Sequence, residues 1–109
     1  MTKMNFSIAK QFSPHPGPRF RNQGPDSGEA LRRKLAKILV EHPNAIVLVD
    51  LDGTSGFGSS FLDEAFGGLV RYEGFEKSVL SRFRFKSDID PSYIVEIRES
   101  IERAEPLKH

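Results

Sequence analysis

The chain of 109 residues contains no cysteine and no tryptophan. Without cysteine it has neither disulfide bonds nor thiolate ligands for a metal ion, so a reducing compartment is compatible and we expect the cytoplasm. Nine phenylalanines supply most of the aromatic residues, and a phenyl ring needs no hydrogen-bond partner when it is buried. At this length we expect one domain, over residues 1–109, with a modest hydrophobic core.

Long apolar segments are also absent. The N-terminal sequence MTKMNFSIAK lacks the apolar core of a signal peptide, and the longest aliphatic run, at 45–49, is much too short to cross a bilayer. The three histidines, His15, His42 and His109, are far apart in the sequence and lack the spacing of metal ligands. We therefore expect no membrane association, no metal site and no cofactor.

Positive charge is concentrated near the N-terminus. Residues 1–40 contain eight Lys/Arg and two Asp/Glu, whereas residues 41–109 contain eight and thirteen. Half of the early basic residues lie on one predicted helix, away from its apolar stripe: Arg32, Arg33, Lys34 and Lys37. This basic face is either a solvated surface or a site for an anionic partner, of which a nucleic acid is one candidate.

Three amphipathic helices are predicted from apolar residues that recur every three or four positions. Their expected starts are capping or first-turn pairs, namely Asp26 with Glu29, Ser60 with Asp63, and Asp90 with Pro91. Their expected ends are marked by Pro43, Gly74 and Pro106. Within the second helix, Gly67 and Gly68 are expected to let the helix approach the sheet closely.

Strands are predicted between these helices. The aliphatic, β-branched run at 45–49 is typical of a strand that is buried on both faces and is therefore central in its sheet. Residues 4–12 and 79–85 alternate between apolar and polar side chains, which predicts two further strands. The segment 18–24 would return as a fourth strand and present Arg19 and Arg21 outward, where two guanidinium groups suit a carboxylate or a phosphate.

The alternation of strands and helices predicts an α/β fold, with a central mixed sheet of about four strands, three helices and right-handed crossovers. In such folds ligands and partners bind at the carboxyl ends of the strands. The loop DGTSGFGSS, at 52–60, follows the central strand at that end. Gly53, Gly56 and Gly58 are expected to adopt positive φ angles there, and we predict the functional site in this loop.

One interpretation of the loop is enzymatic. DLDGT after an aliphatic strand matches the first motif of the haloacid-dehalogenase phosphotransferases, which would make Asp50 the nucleophile and Asp52 the general acid/base beside a magnesium ion. The chain after Asp52 is short for the later motifs of those enzymes. Both carboxylates would otherwise order the loop through bonds to its backbone.

The same loop also has features of a phosphate-binding loop. Glycines five residues apart precede a hydroxyl residue at a predicted helix N-terminus, where backbone amides favour an anion. Ser59 occupies the position where that motif requires lysine. Weak anion binding is compatible with this pattern, but nucleotide hydrolysis is not expected.

A third interpretation covers most of the chain, from about residue 4 to about residue 103. The segments that carry it are PGPRF, DSGEALR, VLVDLDG, GFGSSFLDEAFGGLVR and RFRFKSDIDPSYIVEI. Together they resemble the STAS-like domain of unknown function, a bacterial relative of the STAS anti-sigma factor antagonists, and SSFLDEAFGGL is their most specific part. The resemblance implies a STAS-like α/β domain that regulates a protein partner and is not an enzyme.

The resemblance also implies a switch. Better-known STAS domains have a phosphorylatable serine at the start of the helix after a central strand, and Ser60 occupies the matching place, with Ser59 beside it. Gly58 and Phe61 replace the acidic residue and the glycine of the usual Asp-Ser-Ser-Gly-like sequence. The implied partner is a histidine-kinase-like ATPase, a serine kinase or a transcription regulator.

The sequence thus predicts a partner-binding surface around the glycine loop. Its expected residues lie on the loop, the first turns of the next helix and the predicted hairpin: Gly53, Thr54, Phe57, Gly58, Asp63, Glu64, Arg19 and Arg21. Phe57 would serve equally well as a core anchor. Phosphotransfer through Asp50 and nucleic-acid binding by the basic helix are the alternative functions.

Overall fold

The computed structural model describes residues 2–107. Its elements in chain order are β1 (Thr2–Ser7), α1 (Ile8–Gln11), α2 (Gly28–Glu41), β2 (Ala45–Asp50), α3 (Ser59–Leu62), a π-helical segment (Asp63–Gly67), α4 (Gly68–Arg71), β3 (Phe83–Lys86) and α5 (Ser92–Arg103). Two 3₁₀ segments, Arg21–Gln23 and Lys77–Arg82, lie in the connections. No helix within residues 2–107 has the length and apolar character needed to cross a bilayer.

The sheet has three strands, all parallel, in the order β1-β2-β3 within the part of the chain that the structure describes. Phe6 pairs with Val49, and Val49 pairs with Phe85 on its other side. The prediction that the strand at 45–50 is central is therefore confirmed. The predicted mixed sheet of about four strands with three helices is not confirmed, because residues 2–107 form three parallel strands and five α-helical segments.

The fourth predicted strand, at 18–24, does not form, and neither does the predicted hairpin. The segment at 18–24 contains a 3₁₀ turn, and backbone bonds tie it to the start of α2 rather than to β1. Gly28 and Glu29 donate their amides to the carbonyl oxygens of Pro18 and Arg19, each at 2.9 Å. Because Pro14, Pro16 and Pro18 cannot donate to a ladder, the chain forms this irregular loop instead of a strand.

All helices pack on one face of the sheet. A strand order that never reverses, joined by right-handed crossovers, puts every connecting helix on the same side. Accordingly Phe6, Val47 and Phe83 belong to the core. The opposite face is open and carries Lys3, Asn5, Ser7, Ile46, Leu48, Asp50, Arg84 and Lys86. The prediction that β2 is buried on both faces is thus wrong for Leu48 and Asp50, which are half-buried.

The segments α3, Asp63–Gly67 and α4 form one continuous rod, which we call the central helix (residues 59–71), since the residues at their junctions all have right-handed helical backbone angles. Its glycines approach other helices rather than the sheet, contrary to the prediction. A Cβ on Gly67 would lie 3.0 Å from the Ser100 carbonyl of α5, and one on Gly68 would lie 2.7 Å from Arg32 Cδ of α2.

Two of the predicted helix starts are also displaced. Ser27, not Asp26, caps α2 by accepting the Ala30 amide at 3.1 Å. Gly58 is the N-cap of α3, so Ser60 lies inside the first turn and caps nothing. In contrast, Asp90 accepts the Ser92 amide at 3.0 Å, as an N-cap does, although α5 begins one residue after Pro91.

Gly28→Ala tests the close packing of α2 against the central helix. The new Cβ would lie 2.6 Å from the Phe61 carbonyl oxygen, a backbone atom in the core that cannot move aside alone. Overpacking of this kind costs about 1–3 kcal/mol, and we expect that loss in urea unfolding followed by circular dichroism, despite the better helix propensity of alanine. Gly17→Ala is the matched control, since its Cβ would make an ordinary 3.4 Å contact. Equal stabilities of the two variants would contradict the packing described here.

Candidate functional site

The loop between β2 and the central helix, which we call the glycine loop (residues 51–58), is ordered by its own turns and by two neighbours. Gly53 and Gly56 have φ angles of 90° and 114°, as predicted, whereas Gly58 has a φ of −77° and needs no glycine for its backbone angles. The Ser55 amide donates to the Pro14 carbonyl at 2.8 Å. The loop is therefore held against the segment that precedes α2.

Phe57 anchors the other end of the glycine loop. Its ring centroid lies 5.1 Å from that of Tyr93 in an edge-on arrangement and 5.6 Å from that of Phe61. Tyr93 belongs to α5, so the anchor joins the loop to the last helix. Phe57 is half-buried, which fits the alternative of a core anchor that the sequence left open.

Asp50 and Asp52 order the ends of two strands. Asp50 Oδ1 accepts the Asp52 amide at 2.9 Å. Asp52 in turn accepts the Lys86 ammonium at 2.8 Å and the amides of Asp88 and Ile89 at 3.0 and 3.1 Å. The bond from Lys86 and those two amides lower the pKa of Asp52 to about 2, and the carboxylates of Asp52 and Asp88 raise the pKa of Lys86. Asp52 thus fastens the loop after β3 to the loop after β2.

Two exposed serines open the central helix beside this loop. Ser59 Oγ donates to Glu96 Oε1 of α5 at 2.8 Å. Ser60 follows it and is also exposed. The amides of this first turn have no carbonyl partner within the helix, and the helix dipole places partial positive charge there. The surface of this turn is therefore suited to an anion that becomes attached to a serine.

A buried ionic network lies one turn further along the central helix. Glu64 is fully buried, and it accepts the Arg32 guanidinium and, at 3.2 Å, the Arg19 guanidinium. Arg32 also donates to Glu73 at 2.8 Å, and its guanidinium lies 4.7 Å from the centre of the Tyr72 ring. A buried carboxylate is tolerated only when its charge is compensated in this way.

Asp63 extends the network towards the surface. It lies 3.0 Å from both the Arg19 and the Arg71 guanidinium groups and 3.8 Å from that of Arg103. Burial raises its pKa, but the bonds from Arg19 and Arg71 outweigh that effect and the net pKa is lowered. Arg19 consequently joins the irregular loop before α2 to the middle of the central helix.

A sequence model of one family, the STAS-like domain of unknown function (DUF4325), matches residues 27–92, which is more than half of the chain. The chain belongs to this family. No curated protein and no solved structure matches it. The matched residues include the glycine loop, both serines and the three carboxylates of the ionic network, Asp63, Glu64 and Glu73.

In this STAS-like domain the predicted site residues separate into two groups. The structure brings together the glycine-loop residues and the two serines at the carboxyl end of β2: Gly53, Thr54, Phe57, Gly58, Ser59 and Ser60. It places Arg19, Asp63 and Glu64 in the ionic network instead, and the prediction that Glu64 lies on a partner-binding surface is wrong, because that side chain has no exposed area. Arg21 is exposed in the 3₁₀ turn before α2, and its amide donates to Glu29.

The basic face of α2 is also different from the prediction. Arg32 is buried in the network, and Arg33 pairs with Glu29 at 3.2 Å. Lys34 donates to the Gln11 carbonyl at 2.8 Å, and Lys37 is exposed. The prediction that all four residues lie off the packed side of the helix is wrong for Arg32, because its guanidinium turns inward to meet Glu64.

No group of three or more potential metal ligands occurs in residues 2–107. His109, one of the three histidines, lies outside the described residues. Asp50 and Asp52, the residues that the phosphotransferase motif would use, are both engaged in the loop bonds described above.

Sequence reasoning missed the contribution of the segment after β3. Asp88 and the strongly exposed Ile89, at 81%, belong to this segment; Lys86, at the end of β3, and Glu96, on α5, flank it. The position of this segment directly after a predicted strand was a usable signal, because the carboxyl ends of adjacent parallel strands lie at the same edge of a sheet. Recognising it required the knowledge that β2 and β3 are neighbours.

Asp52→Asn tests the link between the two loops through its pH dependence. The folded pKa of about 2 lies below the ordinary 3.8, so the carboxylate contributes stability that is complete above a pH of about 4 and is lost as the pH falls towards 2. We expect Asp52→Asn to lower Tm at neutral pH and to lose less Tm than the wild type over that acidic range. Asp88→Asn, which keeps the bonds to Asp52, is the control. An unchanged acid profile in Asp52→Asn would show that the link contributes nothing.

Glu64→Gln tests the buried network. Removing one member of a buried ion pair leaves charge without compensation, which costs about 3–5 kcal/mol; Arg32 keeps Glu73 and Arg19 keeps Asp63, so we expect about 3 kcal/mol. Urea unfolding measures this loss. Glu105→Gln breaks an exposed pair with Lys77 and should change stability by at most about 0.5 kcal/mol. A loss below about 1 kcal/mol in Glu64→Gln would be inconsistent with a tightly coupled network.

Proposed function

We propose that this STAS-like domain is a non-enzymatic regulatory module that binds a protein partner and is controlled by phosphorylation of Ser60. The observation that carries the proposal is the exposed serine in the first turn of the central helix, beside an ordered glycine loop. Membership of the STAS-like family is compatible with a regulatory module, and the resemblance to better-known STAS domains implies that Ser60 matches their phosphorylatable serine. The partner that we propose is a histidine-kinase-like ATPase, a serine kinase or a transcription regulator in the cytoplasm.

The surroundings of the two serines favour Ser60 over Ser59 as the modified residue. Ser59 donates its hydroxyl to Glu96, so a phosphate on Ser59 would break that bond and place nearly two negative charges beside a carboxylate. A phosphate on Ser60 would instead gain from the amides and the dipole of the first turn. Ser59 remains the second candidate site.

Phosphorylation of Ser60 would change the surface without changing the core. The nearby carboxylates of Asp63 and Glu64 already pair with arginines. A phosphate on Ser60 would therefore not force these two carboxylates out into solvent. The glycine loop is held by Asp52, Pro14 and Tyr93, none of which depends on Ser60. A partner that binds Gly53, Thr54, Gly58 and the serines would therefore contact the same backbone conformation, but the surface would be more negatively charged.

The same contacts support a role without catalysis. A phosphotransferase would need Asp52 to exchange a proton near neutral pH, whereas its pKa of about 2 keeps it ionised. A nucleic-acid site on α2 could not use Arg32, which is buried against Glu64, and Arg33 already pairs with Glu29. Both features make a protein-binding role the better explanation of this surface.

Ser60 variants test the switch directly. Ser60→Asp adds a charge at the proposed site, and we expect it to change the affinity for the ATPase or kinase that co-purifies from the native cell by tenfold or more. Ser60 caps nothing, so Ser60→Ala should alter the free energy of unfolding by less than about 0.5 kcal/mol while it blocks modification. Ser55→Asp, in an exposed position of the same loop, is the matched charge control.

Mass spectrometry of the protein from its native cell completes the test, with phosphate expected on Ser60. The proposal fails if neither Ser59 nor Ser60 carries phosphate and both Ser60 variants bind the partner as the wild type does. It is also contradicted if Ser55→Asp has the same effect as Ser60→Asp, since the loop would then respond to charge in general.

A further inference from the structure

The open face of the sheet is the largest feature that the proposed switch leaves unexplained. Parallel sheets are almost always covered on both faces, because their crossover helices lie on both sides. Here the order β1-β2-β3 puts all helices of residues 2–107 on one side, and none of them covers the other face, where Leu48 and Asp50 are half-buried. A shallow concavity of about 360 Å³ lies on it, with Asn5, Ser7, Leu48, Asp50, Arg84 and Lys86 in its lining.

The side chains of this face form three parallel stripes. Ile46 and Leu48 on β2 are the apolar residues along the middle; Leu48 is half-buried, whereas Ile46 is only 9% exposed. Lys3 pairs with Ile46 from β1, and Arg84 pairs with Leu48 from β3, and both cations are exposed. The carboxylate on the face, Asp50, is half-buried and holds the Asp52 amide. An apolar centre is thus flanked by positive charge on both sides.

The width of the face matches one helix. Two inter-strand spacings of about 4.8 Å separate β1 from β3, which gives about 10 Å, and the diameter of an α-helix with its side chains is about 10–12 Å. A helix along β2 would place its apolar stripe on Leu48, and acidic residues on either side would reach Lys3 and Arg84. A second copy of this chain fits less well, because it would bring the same cations together.

We propose that the open face of the sheet docks an acidic amphipathic helix of a protein partner, which supplies the missing second layer of this α/β fold. Leu48 receives the apolar side chains of that helix, and Lys3 and Arg84 pair with its flanking carboxylates. The face lies away from the helices that carry Ser60, so this docking is independent of the proposed switch. Ser60→Asp is expected to leave it unchanged.

A peptide probe tests the docking. The probe is a synthetic peptide of about 18 residues, long enough to be helical, with leucines every three or four positions and glutamates on both flanks. We expect it to shift the backbone amide NMR signals of Lys3–Ser7, Ile46–Asp50 and Phe83–Lys86 in the isotope-labelled full chain. A scrambled peptide of identical composition and a version with lysines in place of the glutamates should bind at least tenfold more weakly.

Variants separate this site from general attraction between opposite charges. Lys3→Glu with Arg84→Glu should weaken binding tenfold or more, and Leu48→Gln should weaken it with no change in charge. Lys37→Glu with Arg98→Glu makes the same change in net charge at exposed positions on α2 and α5, and should weaken binding less than threefold. Thermal unfolding of each variant confirms that it is folded.

Four results would overturn the proposal. They are equal binding of the scrambled peptide, signal changes that map to the helices, equal losses in the two double variants, and self-association of the free chain through Leu48 in sedimentation. A fifth result concerns small anions: if phosphate or citrate alone shifts the same signals at the concentration at which the peptide binds, the face is a small-anion site and the proposal fails.

Discussion

The strand order of the sheet is the constraint from which the other features follow. The three parallel strands lie side by side in sequence order. Because their crossover connections are right-handed, every helix lies on the same side of the sheet. The carboxyl ends of β2 and β3 are therefore neighbours, and Asp52 can accept bonds from Lys86, Asp88 and Ile89. The same order leaves the opposite face of the sheet uncovered. The linked loops at the carboxyl ends of the strands and the sheet face without helices thus both follow from the strand order.

The buried network around Glu64 fixes the position of the central helix within that topology. A fully buried carboxylate must be compensated, so Arg32 of α2 and Arg19 of the preceding loop are drawn to the same point. Two of the carboxylates of the network, Asp63 and Glu64, lie in the π-helical segment, Asp63–Gly67, and the adjacent glycines allow α2 and α5 to come close. The first turn of the central helix is consequently held in place while its serines remain exposed.

The sequence was sufficient where local patterns act alone, and insufficient where distant residues meet. The aliphatic run at 45–49 identified the central strand, and glycine chemistry identified the loop, because both depend on residues that are adjacent in the chain. The partners of Glu64 lie 32 and 45 positions away in the sequence. Its charge alone therefore predicted an exposed side chain, whereas its ion pairs with these partners allow it to be buried. The fourth strand failed for a related reason, since backbone bonds to α2 compete with a hairpin that local alternation alone would favour.

The central claim is that phosphorylation of Ser60 changes a surface and leaves the fold intact. The most direct measurement compares the backbone amide NMR signals of the unmodified chain with those of the chain carrying phosphoserine at position 60. The account predicts that the changes are confined to the glycine loop and the first turn of the central helix. Changes that extend through β1, β3 and the Arg19 loop would show that the phosphate rearranges the core, which would contradict it.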